Sequence, residues 1–451
     1  MESESKTIVV DIRLRVCGVF LCYGDSENPV HERIRVFTVP TFMKGKSEQV
    51  DFSSFLVTLK NAILAGLKAH PEVEEVVLIG LGRTFCLLKD DEILEPFYLV
   101  DERANEKLYE TSNLQISYRL RYDYSGGEEG RDGSFYRLIA SLQKGKLHDA
   151  TDFLYPIEYL YFLLTGEKAH TRSLARTNGF IDARNNAYSV PLVHGAGIPL
   201  KLLPELSRDF TPSALTNPEY TEFFGKPLRI RLGGSRNYSA SFLVPSFDDA
   251  LFIRLGDSPC IGSLIQGVAP EDELRDKGFR FGYANHHPTL ERRLRVSNLI
   301  YKFFRETKRN YTAFEEAVKA SKFEGRIPYL EASFNKAESI VEEVKLYFRS
   351  KEKPAPETEA DVLRCLYFSF IDFVSSELKK YQETFGVYWG RFILINAESL
   401  SPFLQQEMER LLGKDVAFYP LPVEVDGAYV ETLRVRQEEA EEEAHRRELE
   451  E

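Results

Sequence analysis

The chain has 451 residues, of which 43% are hydrophobic and 28% charged, and a formal net charge of −12. That length exceeds one compact core and suits two domains of roughly 200–250 residues, while the acidic balance argues against a nucleic acid or an anionic membrane as partner. No run approaches the ~20 continuous apolar residues of a membrane span, the opening MESESK has no signal-peptide pattern, and the five cysteines are scattered without a CxxC pair, so a cytoplasmic setting is expected.

Thr7–Val16 alternates with period two and predicts a strand that carries Val10, Ile12, Leu14 and Val16 on one face. His31–Val39 repeats the pattern after a turn at Gly24–Pro29. Phe52–Leu67 has helical spacing, with Phe55, Leu56, Leu59, Ile63 and Leu67 along one stripe. Val73–Gly80 is a short unbroken apolar run, the pattern of a strand buried on both faces, and Phe85–Lys89 reads as the next strand. Tyr124–Gly133, rich in glycine and charge, is expected as an exposed loop, and the aromatic stretch Phe153–Leu164 as a buried helix. Leu290–Phe304 and Asp361–Tyr381 predict amphipathic helices, with Cys365 on the apolar stripe of the second. Ser350–Glu359 between them is a solvated connection. A crossover at Pro245–Asp249 divides the chain into a domain over 1–245, a second over 246–436, and an acidic tail over 437–451, helical or disordered.

Periodicity alone says α/β. Finer identification comes from short segments that occur in one order along the chain. Val77–Leu88, Pro96–Arg103 (PFYLVDER), Phe153–Asp182 with LLTGE at Leu163–Glu167, Gly197–Pro204 (GIPLKLLP), Asn298, Leu366–Leu378 and Arg391–Val416 together resemble the FGGY family of carbohydrate kinases, closest to its rhamnulokinase branch. The resemblance implies two ribonuclease-H-like (actin-like ATPase) domains around a central cleft, the first on the sugar side and the second on the nucleotide side. It also implies a substrate site at Gly82, Asp101, Arg103 and Gly234. The nucleotide side would fall at Asp11, Arg13, Gly256, Asp257, Asn298 and Asn396, with Asp11 and Asp257 as candidate magnesium ligands.

Phosphoryl transfer needs phosphates cradled by backbone N–H groups, a metal to offset charge, and a general base on the acceptor hydroxyl. Four stretches of this chain depart from that pattern. After Asp11 the family has a glycine turn, DxGxxS, where this chain has Arg13; a side chain there obstructs close backbone approach. The family's GHDTASA is GSRNYSAS over Gly234–Ser241, with Arg236 or Asn237 in place of the acid, and neither takes a proton from an alcohol at neutral pH. Asp248 and Asp249 are the nearest substitutes. The second phosphate turn, SGTW, is LGDSP over Leu255–Pro259, and Asn396, Ala397 and Glu398 stand where a glycine run is expected. These departures predict a non-catalytic, pseudokinase-like member of the family that retains sugar or nucleotide binding. The alternative is an active kinase that phosphorylates a ketose such as rhamnulose and uses ATP and magnesium if the nucleotide site survives. A small sugar ligand and a protein partner or homodimer fit either reading; neither nucleic acid nor membrane is expected.

Overall fold

The single strand expected over Thr7–Val16 is a hairpin in the computed structural model of the protein. β1 (Thr7–Ile12) and β2 (Val16–Gly24) pair antiparallel, and the N–H of Arg13 donates to the carbonyl of Val16 at 2.8 Å to close the turn. β3 (Pro29–Thr38) continues the meander antiparallel to β2. The structure describes residues 6–450 with the exception of 81, 83, 104–106, 109, 112–115, 128–133, 177, 178, 204, 244–249, 256–258, 265–270, 285, 286, 387, 388, 396–400, 420 and 421. By packing, the chain divides into one unit comprising Met1–Pro245, Ile265–Thr289 and Glu424–Glu451, and another comprising Ser246–Leu264 and Leu290–Val423. Residues 271–284, 287–289 and 424–436, assigned by sequence to the second half, fall in the first unit.

In the first unit, β4 (Thr41–Lys44) and β5 (Ser47–Val50) lead into α1 (Phe52–Ala69), whose N-cap Asp51 accepts from the Ser54 N–H at 3.1 Å. β6 (Glu75–Gly80) is the expected two-face-buried strand and lies parallel to β1. β7 (Cys86–Lys89), β8 (Glu92–Glu95) and β9 (Tyr98–Val100) follow, with β9 pairing to β5. The aromatic stretch splits at Pro156. β10 (Asp152–Leu154) pairs with β7, and α2 (Pro156–Thr165) starts with the proline in its first turn, a residue that disfavours helix just before itself and suits its first position. β11 (Ser213–Leu215) and β12 (Arg229–Ser235) complete the main sheet, ordered β11-β12-β6-β1-β2-β3.

Alternation along the central strands sets two cores. Ile8, Val10, Val76 and Leu78 face a cluster that includes Leu59 and Ile63 of α1 and Ile157 of α2. Val9, Val77 and Ile79 face the other way, against Val425, Ala428 and Tyr429. A continuous apolar run is the consequence of covering both faces.

In the second unit, β13 (Ala250–Arg254) pairs antiparallel with β14 (Cys260–Leu264) and parallel with β15 (Arg391–Ile395), which lies parallel to β16 (Asp415–Tyr419). The helix expected over Leu290–Phe304 forms only as α3 (Leu299–Thr307), because His287–Arg293 is a strand whose Thr289, Leu290 and Glu291 are all buried. α4 (Glu359–Phe385) fulfils the helix expected over Asp361–Tyr381, opens on a Thr358/Asp361 capping box and buries Cys365. The chain ends in α5 (Val423–Glu450), which takes the acidic tail into one helix. No helix among the described residues is long and apolar enough to cross a membrane.

Candidate functional site

Asp11 sits one residue before the end of β1, in a sheet position with no solvent exposure. A carboxylate there must be compensated, and two arginines do so. Arg13, two residues on, donates its Nε to Asp11 Oδ2 at 2.9 Å. Arg236, at the end of β12, donates its Nε to Asp11 Oδ1 at 2.9 Å and to Oδ2 at 3.2 Å. The same guanidinium reaches Glu424 Oε1 at 2.8 Å through Nη1. Asp11 and Glu424 are fully buried and Arg236 is 3% exposed, while Arg13 is 27% exposed, so two acids and two arginines alternate from the interior to the surface.

Backbone approach lets Glu424 into this network. A Cβ on Gly427 would stand 2.0 Å from the carbonyl oxygen of Ser239, so α5 lies against the chain just after Arg236 more closely than any side chain permits. Glu424 is one helical turn before Gly427, on the same face.

Gly234 keeps its glycine for a local reason. Its φ is +100°, and a Cβ would fall 2.0 Å from Asp209 Oδ1 and 2.7 Å from Ser173 Oγ. The register shift between Leu232 and Gly234 marks a bulge that turns the strand end. Beneath it the Ser173 hydroxyl donates to Asp209 and accepts from the Ser235 N–H at 2.7 Å. Asp209 is 2% exposed; burial pushes its carboxyl up to about 7, against the opposing pull of the Ser173 hydroxyl and N–H.

This shift has a signed consequence. An acid whose folded pKa exceeds its unfolded value holds its proton more tightly when folded. Its contribution to stability is therefore complete below about pH 4 and declines as pH rises toward about 7. In urea denaturation, the stability of wild type relative to Asp209→Asn should fall across that window. A difference constant with pH would contradict the assignment.

Asp101 and Arg103 form a network of their own. Arg103 donates to Asp101 Oδ1 at 2.8 Å and Oδ2 at 2.6 Å, and to Glu95 Oε1 at 2.7 Å. Burial alone would raise the Asp101 pKa, but the hydrogen bonds and charge of Arg103 more than offset it and hold it below the usual value. Arg103 also lies 5.0 Å from the centroid of the Tyr98 ring. Gly82 is buried, Asn237 is half-buried, and Asn298 is the exposed N-cap of α3 without a side-chain cap bond. Asp248, Asp249, Gly256, Asp257 and Asn396 lie outside the described residues. The structure thus joins Asp11, Arg13 and Arg236 and pairs Asp101 with Arg103. Sequence reading missed Glu424, Asp209 and Ser173. A lone carboxylate on a C-terminal helix has no local signature of a partner at the far end of the chain, and Asp209 lies in a polar stretch, SRDFTPS, that gives none either.

No protein-family model matches the chain. The chain is 22% identical to the rhamnulokinase of Oceanobacillus iheyensis over 312 residues, 67% of this chain and 66% of that enzyme. It is 22% identical to the rhamnulokinase of Halalkalibacterium halodurans over 390 residues, 82% of each. Among solved structures, a gluconate kinase from Lactobacillus acidophilus superimposes with a TM-score of 0.71 at 13% identity, covering 95% of this chain and 89% of that one. Plasmodium falciparum glycerol kinase with ADP does so with a TM-score of 0.69 at 12% identity, covering 95% and 90%.

Proposed function

We propose that this chain, a relative of the FGGY-type sugar kinases by sequence and by its actin-like ATPase fold, is a non-catalytic member of that group. The reading rests on GSRNYSAS, where Arg236 or Asn237 stands in place of the acid of the family's GHDTASA, and on the contacts of Arg236 with both Asp11 and Glu424. A guanidinium stays charged and cannot accept the proton of an attacking hydroxyl. Losing a general base costs about 10²–10⁴-fold in rate.

The same contacts bear on the metal. Magnesium is held through carboxylates that offer free lone pairs, usually beside several waters. Asp11 is fully buried, and both its oxygens accept from guanidinium groups. A divalent cation at that carboxylate would also stand beside two fixed positive charges. The residues present there do not fit magnesium. Arg13 further departs from the phosphate-turn pattern, since its N–H is spent on the Val16 carbonyl.

The retained framework supports a binding role over a chemical one, with Asp101 and Arg103 held in place as a rigid pair. The test is ADP release from magnesium-ATP with a panel of ketoses that includes rhamnulose. The expected result is no sugar-dependent release above background. Sugar-dependent turnover by the purified chain would overturn the proposal and favour an active ketose kinase.

A further inference from the structure

A cavity in the first unit lies beside the turn that closes the β1–β2 hairpin. Its walls are apolar, with Phe55, Phe97 and Leu99 buried around it, and its polar side chains are Thr84 and Arg13. The centre of a water-sized sphere has about 30 Å³ in which to move there, more than the roughly 10–15 Å³ that one water requires. An apolar space of this kind holds an organic body more readily than water, which needs several polar partners.

Two side chains here keep hydrogen-bond donors unused. Thr84 is 6% exposed, and its hydroxyl makes no hydrogen bond among the described residues; buried hydroxyls are ordinarily paired. Arg13, whose side chain is 27% exposed, uses its Nε on Asp11, and its two terminal amino groups donate no hydrogen bond among the described residues. An unfilled guanidinium edge beside an apolar cavity matches a carboxylate with an apolar body, since the planar fork accepts that group through two parallel bonds.

We propose that this cavity binds a small monocarboxylate whose body is a single branched alkyl group or ring. The carboxylate lies on the terminal amino groups of Arg13. The body packs among Phe55, Phe97 and Leu99, and an oxygen of the ligand accepts from the Thr84 hydroxyl. The site differs in chemistry from a sugar site, where many hydroxyls would need matching polar groups. The proposal does not depend on whether the chain transfers phosphate, because neither nucleotide nor metal takes part.

Calorimetric titration of the full chain with isovalerate, and with isovaleramide as the uncharged control, tests this. Saturable one-to-one binding of isovalerate is expected, with the amide weaker by about tenfold or more. Leu14→Trp, at a half-buried position of the cavity wall, should abolish binding in a protein that still unfolds cooperatively. Thr84→Val removes the hydroxyl at nearly constant volume and should weaken binding severalfold. The proposal is overturned by absent isovalerate binding, by equal binding of the amide, or by undiminished binding to folded Leu14→Trp. If Leu14→Trp does not fold, unchanged binding to Thr84→Val overturns it alone.

Discussion

Arg236→Met should lower the stability of the protein by about 3–5 kcal/mol in urea denaturation, the cost of leaving buried charges without their partner. Asp11 and Glu424 are both fully buried, and Arg236 is the group that bonds to both. Arg13 remains on Asp11 after the substitution, so Glu424 carries most of the loss. Neutralising the acids along with the base is the control. Adding Asp11→Asn and Glu424→Gln to Arg236→Met should recover most of the stability, because a buried ion network replaced as a whole by neutral groups of similar size is often nearly neutral in free energy. A triple variant no more stable than the single one would show that packing, not charge, makes Arg236 important. Arg236→Asp would not supply a working base. It sets a third carboxylate beside two buried ones, and is expected to unfold the site before it can act as a base.

Arg231→Met should have an effect of similar size, about 3–5 kcal/mol. Arg231 has no solvent exposure. It donates to Glu75 Oε1 at 2.7 Å, to the Phe210 carbonyl at 2.7 Å and to Glu439 at 2.8 and 2.9 Å. Glu75 has a second arginine, Arg436 of α5, which also reaches Thr7 Oγ1 at 2.9 Å. The last helix is therefore tied to β12 and β6 by ion pairs and to β1 by a hydrogen bond to the Thr7 hydroxyl. The two acids differ in weight. Glu439 is 43% exposed and Glu75 3%, so Glu439→Gln should cost about 1 kcal/mol or less, while Glu75→Gln should approach the arginine substitution. Equal effects from the two glutamates would refute this ordering.

The two networks share a design, in which the terminal helix supplies acids to bases on the main sheet: Glu424 to Arg236 at one strand end, Glu439 to Arg231 farther along β12. The carboxylate at the end of β1 is enclosed by two guanidinium groups. Arg236 thus adds interactions that hold the scaffold together.

What could be read along the chain was whatever depends on neighbours in sequence. The unbroken run Val76–Ile79 identified a strand buried on both faces, and the stripe from Phe55 to Leu67 identified α1. LLTGE proved to be the end of α2, where Gly166 takes the left-handed cap at φ 83° and the Thr165 hydroxyl accepts from the Glu167 N–H at 3.1 Å. That segment concerns helix termination, a local matter, which explains why it was legible. The hairpin turn inside Thr7–Val16 was not, because alternation continues unchanged through Arg13 and Leu14 and only pairing with Val16 shows the chain reversing. The strand at Leu290 was missed for the same reason: its burial comes from neighbours distant in sequence, such as Tyr381, whose hydroxyl donates to the Leu290 carbonyl at 2.7 Å.

By itself the sequence determined the α/β framework and its kinship with sugar kinases, because periodicity, caps and motif letters are local properties. Only the tertiary structure decided what Arg13 and Arg236 contact. Arg13 and Arg236 could equally have faced solvent, a phosphate or each other. The enclosure of Asp11 by both of them, with Glu424 arriving on the last helix, follows from burial, which no local pattern encodes: a carboxylate with no access to water must find its counter-charges wherever the fold brings them.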